Sequence, residues 1–119
     1  MISKETVKDF FEHTRALHAA GRAPFDIDKT CRWSFFFVDP AEQRLLELVP
    51  ELEELGYEIA GTLAPDDDEV DGSYFLRADR IEAHTPASLL ARNDQLYAMA
   101  HRYGIADYDG MDVGAVDGP

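Results

Sequence analysis

The pattern in this sequence that comes nearest to a chemical site is acidic, Asp67-x-Glu69-x-Asp71-Gly72. Alternating acids followed by a glycine at the sixth position form the first half of an EF-hand loop, which binds Ca²⁺ through carboxylate oxygens. The bidentate acid that closes such a loop would fall at Ala78, and the flanking residues are typical of strands rather than helices. We therefore expect a solvated turn at this place and no metal site.

The histidines and the possible nucleophiles lack catalytic spacing. His13 and His18 are five positions apart, which misses the i, i+4 spacing of two ligands on one helix face, and neither His84 nor His101 has a ligand at a recognisable spacing. Cys31 is the only cysteine, which excludes an internal disulfide and a cysteine-based zinc site. No nucleophile elbow and no phosphate-binding glycine motif occurs. We expect no catalytic residues and no cofactor, with a small enzyme or metal-binding domain as the remote alternative.

The charge distribution is strongly uneven. The chain of 119 residues has a net charge of -13, and residues 39–71 hold twelve acids against the single base Arg44. Nucleic acids are bound mainly through Lys and Arg, so direct binding to RNA or DNA is not expected. A surface of one sign either keeps the protein in solution or attracts a basic protein partner. On the second interpretation the candidate partner-binding residues are Glu47, Glu51, Glu54, Asp66, Asp67, Asp68, Glu69 and Asp71.

Hydrophobic periodicity predicts three helices and four strands. In chain order they are helix 3–20, strand 32–38, a helix from Asp39 to Gly56, strand 57–63, strand 73–81, a helix from Thr85 to Gly104, and strand 108–116. Asp39 and Glu42 have the spacing of a capping box, and Pro50 predicts a kink or break in its helix. Strand 32–38 carries apolar residues on both faces, which predicts a central strand covered on both sides.

The order of these elements predicts an α+β fold. A leading helix followed by two β-α-β units folds into a ferredoxin-like split β-α-β sandwich, with a four-stranded antiparallel sheet and two helices on one face. We expect a single domain overall, with a helix and connection at 1–29 and the sandwich at 30–119. The longest apolar run, residues 35–38, is far too short to span a membrane, and the N-terminus does not look like a secretion signal. A cytoplasmic protein is expected.

Several short motifs in this order resemble one known family. An aromatic strand leads into a helix that ends with Gly56-Tyr57, and a later helix ends at Gly104, shortly before Tyr108-Asp109-Gly110. This pattern resembles the regulator of ribonuclease E activity B family, also called the ribonuclease E inhibitor family, over roughly residues 30–116. The matching motif positions are Gly56, Tyr57, Gly104, Tyr108, Asp109 and Gly110. In the family a tryptophan usually follows this Tyr-Asp-Gly, whereas this chain has Met111.

The resemblance implies a function. Members of that family are small cytoplasmic proteins without catalysis of their own, which bind ribonuclease E and restrain RNA degradation through protein contact. The non-catalytic part of ribonuclease E in such systems is disordered and rich in arginine, so the acidic residues given above would complement it. The alternative is an interaction module of the same fold with another basic partner, for example one that neutralises a toxin. The oligomeric state stays open.

Overall fold

The protein folds around one antiparallel sheet of four strands. The structure is a computed structural model that describes residues 2–65 and 72–117. Its elements are α1 (Lys4–Ala19), β1 (Cys31–Asp39), α2 (Glu42–Glu54), β2 (Glu58–Leu63), β3 (Tyr74–Glu82), α3 (Pro86–Arg102) and β4 (Asp107–Gly114). The strand order is β2-β3-β1-β4. This is the ferredoxin-like arrangement, so the predicted α+β fold with an added N-terminal helix is confirmed.

Strand β1 lies at the centre of the sheet, between β3 and β4. Trp33, Phe35 and Phe37 point to the face that carries the helices, and all three are fully buried. On the other face Phe36 and Val38 are half-buried. The prediction of a central, covered strand is confirmed, because no residue of β1 is exposed, although within the described residues the helices pack on one face only. Cross-strand neighbours on β3 shield the second face instead.

Helix α1 packs on the same face of the sheet as α3. Ser3 caps its first turn by accepting a hydrogen bond from the backbone N–H of Thr6. The rings of Phe10 and Phe11 lie 6.2 and 6.0 Å from the ring of Trp33, which places the apolar side of α1 against β1. The added helix is thus part of the same hydrophobic core as the strands.

The start of α2 differs from the prediction. The N-cap residue is Ala41, and no side chain caps the helix, so the predicted capping box of Asp39 and Glu42 is wrong. Asp39 is fully buried, and its carboxylate accepts hydrogen bonds from the backbone N–H groups of Ala41, at 2.8 Å, and Ala106, at 2.9 Å. A buried carboxylate needs such donors. Asp39 therefore fastens the start of α2 to the segment before β4, a long-range contact that local spacing does not reveal.

The break that Pro50 predicts is absent, because α2 continues from Glu42 to Glu54. A proline inside a helix leaves the carbonyl four positions earlier without its usual donor. Here that carbonyl belongs to Leu46, and both Leu46 and Pro50 are exposed, so water can reach this side of the helix. The cost of the proline is thereby reduced. No helix in the described part of the chain is long and apolar enough to cross a membrane.

Candidate partner-binding surface

The outer side of α2 is acidic. Glu47 and Glu54 are exposed, and neither forms an ion pair within the described residues. The one cation of this helix, Arg44, lies 3.6 Å from the buried carboxylate of Asp39 and so does not neutralise them. The remaining predicted partner-binding residues, other than Glu51, lie outside the described residues: Asp66, Asp67, Asp68, Glu69 and Asp71.

Glu51 is the glutamate of α2 that forms an ion pair within the described residues, and its partners lie at the C-terminal end of α3. Its Oε2 lies 2.6 Å from Nη2 of Arg102, and its Oε1 is 3.4 Å from the hydroxyl of Tyr103. The guanidinium of Arg102 also lies 5.7 Å from the centre of the Tyr103 ring. Glu51 thus combines a surface position with an ion pair that joins the ends of two helices.

An open groove of about 730 Å³ runs between α2 and α3 beside this ion pair. Leu55 lines it and is 49% exposed. The helix ends at Glu54, so Leu55 no longer follows the buried stripe of Leu45, Leu48 and Leu52. The groove therefore places an exposed apolar side chain next to acidic ones.

A half-buried polar cluster around Glu82, at the end of β3, was not predicted from the sequence. Its carboxylate accepts a hydrogen bond from Nη1 of Arg92 at 2.7 Å and forms an ion pair with Nε of Arg80 at 3.1 Å. It also contacts Nε2 of His84. Burial opposes ionisation of Glu82, but hydrogen bonds from His84 and Arg92 outweigh it and lower the pKa. The cluster joins β3 to α3. These residues lie two to ten positions apart and follow no recognisable catalytic or ligand spacing, and the one signal in the sequence is His84 directly before the helix cap.

Gly56 and Tyr57 have structural roles in this same region. Gly56 has φ +97, a left-handed conformation that favours glycine, and it turns the chain from α2 into β2. The ring of Tyr57 is buried edge-on against Phe35 at 5.9 Å, and burial raises the pKa of its phenol. These two motif positions thus serve the packing of α2 on the sheet.

The Tyr-Asp-Gly motif begins β4 and faces the core with its tyrosine. The Tyr108 ring lies 5.4 Å from that of Phe37, and its hydroxyl donates to Oδ1 of Asn93 in α3 at 2.6 Å. A register shift between β1 and β4 leaves Asp109 as the extra residue of a bulge, and its side chain is exposed. Gly110 follows with φ +119. Gly104, with φ +69, ends α3 in the same left-handed manner.

Met111, the residue directly after the Tyr-Asp-Gly motif, points inward. It pairs with Phe35 of β1, and its sulfur lies 3.7 Å from Nδ2 of Asn93. Its side chain is half-buried and packs against the hydrophobic core. Met111 therefore contributes to the packing under α3 and is not an exposed contact position.

The second face of the sheet carries a self-contained ion network. Asp79 is 4% exposed, and its carboxylate accepts two hydrogen bonds of 2.9 Å from Arg77 and one of 3.2 Å from Arg32. Burial opposes ionisation of Asp79, but the hydrogen bonds outweigh it and lower the pKa of this carboxyl group. The bonds from Arg77 contribute most to the lowering. Of the aromatic run in β1, only Phe36 lies on this face. The two cations are thus already engaged, which makes the face a poor binding surface for phosphate groups.

Within the described residues no group of three or more His, Cys, Asp or Glu side chains is arranged to hold a metal ion.

The chain matches one known protein family model. The family model described as "Regulator of ribonuclease activity B" matches residues 12–113, a range that includes β1, β2, β3, α2, α3 and all of β4 except its last residue. No curated protein matches the chain.

Proposed function

The chain belongs to the regulator of ribonuclease activity B family, and on that premise we propose that it is a non-catalytic cytoplasmic protein that binds ribonuclease E and inhibits RNA degradation. The family is described as regulating ribonuclease activity, and the short motifs in the sequence resemble the same family. Ribonuclease E as the partner and inhibition as the effect are the specific content of the proposal.

The observation that supports this proposal most directly is the acidic side of α2. Glu47 and Glu54 are exposed and not neutralised within the described residues, and they belong to the segment 39–71 that holds most of the excess charge. A protein surface of this sign attracts basic segments and repels RNA. Basic segments of a ribonuclease bind RNA through their Lys and Arg side chains. A regulator that occupies such a segment competes with the substrate for it.

Calorimetry and a cleavage assay test the proposal together. Purified protein is titrated into ribonuclease E from the same organism at two salt concentrations, and RNA cleavage is measured over the same range of protein concentration. We expect binding that weakens at the higher salt, because exposed charges are screened, and cleavage that slows in proportion to the ribonuclease bound. Absence of binding at either salt would reject ribonuclease E as the partner and leave the alternative of another basic protein, which a pull-down from the source cell would identify.

A further inference from the structure

The groove between α2 and α3 combines three chemical features. Its apolar part is formed by Leu55, Ala98 and Met99, and one of its sides carries the carboxylates of Glu51 and Glu54. An exposed apolar groove with acidic sides matches a segment that has both apolar and basic side chains. It does not match RNA, because its carboxylates would repel phosphate groups.

The third feature is Arg102, a cationic side chain of the protein itself that already lies in the groove. Its guanidinium donates to Glu51 at 2.6 Å and lies over the Tyr103 ring, yet its side chain remains 63% exposed. A carboxylate next to an aromatic ring is a recognised way to bind a guanidinium group, through a charge-assisted hydrogen bond and a cation–π contact. The protein thus contains an arginine-binding position that its own side chain occupies.

We propose that this groove binds an arginine-containing amphipathic segment of the partner protein, and that an arginine of this segment replaces Arg102 on Glu51 and Tyr103. The apolar side chains of the segment then lie against Leu55 and Met99. The inference rests on the proposed function in so far as the partner is ribonuclease E. The groove, and the Arg102 side chain that competes for Glu51, are properties of this chain alone.

The exposure of Arg102 makes the replacement easy. An exposed ion pair contributes little to stability, because both groups regain water when they separate. The displaced guanidinium therefore returns to solvent at small cost, while the incoming arginine is held by its neighbours along the partner segment. Arg102 acts as a competitor that lowers affinity for every basic segment, so its removal should strengthen binding.

Fluorescence anisotropy with a labelled synthetic peptide tests this. The peptide is an amphipathic helix-forming sequence with arginine and leucine at i, i+3 and i+4 spacing, so that no ribonuclease is needed. We expect Arg102→Gln to tighten binding by about two- to fivefold, the factor that corresponds to an exposed ion pair. Arg22→Gln is the matched control: Arg22 is also exposed, its loss changes the net charge equally, and it lies by Val113 at the far end of β4. It should leave affinity nearly unchanged.

Two further variants separate the groove from general charge effects. Glu51→Gln should weaken binding of the peptide, and in that background Arg102→Gln should bring no more gain than Arg22→Gln, because the competitor acts through Glu51. Leu55→Ser should weaken binding without changing the net charge. Equal effects of Arg102→Gln and Arg22→Gln, or a gain from Arg102→Gln that persists without Glu51, would overturn the inference.

The same variants tested against ribonuclease E distinguish the two proposals. If the peptide binds as described but ribonuclease E does not, the groove inference stands and the proposed function fails. If ribonuclease E binds but Arg102→Gln has no specific effect on either ligand, the function stands and the groove inference fails.

Discussion

The hydroxyl of Tyr108 donates a hydrogen bond of 2.6 Å to the side-chain oxygen of Asn93, and both residues are buried. The Asn93 amide in turn points its nitrogen at the sulfur of Met111. The most distinctive motif of the sequence is therefore tied into the contact between β4 and α3, with its tyrosine turned away from solvent. Burial raises the pKa of the Tyr108 hydroxyl, so it stays protonated and able to donate.

Tyr108→Phe should destabilise the protein by about 1–3 kcal/mol, because the substitution leaves the buried oxygen of Asn93 without its donor. Urea denaturation measures the loss as a lower midpoint at unchanged slope. Affinity for the partner should be unaffected once the protein is folded. Weaker binding of ribonuclease E with no loss of stability would show instead that Tyr108 contacts the partner.

Gly110→Ala should cost about 1–3 kcal/mol, the range for a residue forced into a backbone conformation that it rarely adopts. Gly110 has φ +119, whereas Gly114 on the same strand has no positive φ and has nothing within 4 Å of an added Cβ. Gly114→Ala is thus the matched control and should change the unfolding free energy much less. Equal losses in the two variants would contradict the backbone explanation.

Protonation of Glu82 should contribute to acid unfolding. Its pKa is lowered in the folded protein, so the unfolded chain binds more protons in this range and the free energy of unfolding rises with pH. The contribution is complete above about pH 4.3, the ordinary pKa of glutamate, and is lost as the pH falls through the lowered folded value. Urea denaturation between about pH 6 and pH 3 should show a flatter pH dependence for Glu82→Gln. Glu12→Gln, at an exposed position of α1, should keep the slope of the unmodified protein.

Charge reversal on α2 should affect association more than stability. The double variant Glu47→Lys with Glu54→Lys should slow association with ribonuclease E by about tenfold at low salt and make its rate less dependent on salt. The double variant Asp9→Lys with Glu12→Lys changes the net charge equally on the exposed side of α1. Stopped-flow fluorescence compares the two. Similar slowing in both would mean that total charge, rather than the acidic side of α2, steers the partner.

Local patterns were sufficient to predict the fold. The alternation of Trp33, Phe35 and Phe37, together with the apolar stripes of the helices, located all seven elements with ends shifted by a few residues. The order of elements then fixed the strand order, because short right-handed crossovers leave few arrangements. Patterns of this kind work because burial on one face demands a fixed spacing of apolar residues.

Contacts between distant residues could not be predicted in the same way. The carboxylate of Asp39 was expected to complete a capping box with Glu42, but it instead accepts hydrogen bonds from the N–H groups of Ala41 and of the distant Ala106. Leu55 is apolar, yet it lies exposed in a groove instead of in the core. In each case the sequence shows which residue is polar or apolar but not what the tertiary fold places opposite it.

The strand order also constrains how the protein is made. On the ribosome β1 emerges early, but its two neighbours in the sheet, β3 and β4, are synthesised later, with β4 near the end of the described chain. A nascent chain that stops before β4 leaves one edge of β1 unpaired and its large aromatic side chains partly uncovered. Such edges and surfaces are sites of aggregation. Closure of the sheet on this side of β1 therefore requires β4 to have been synthesised, however early β1 itself emerges.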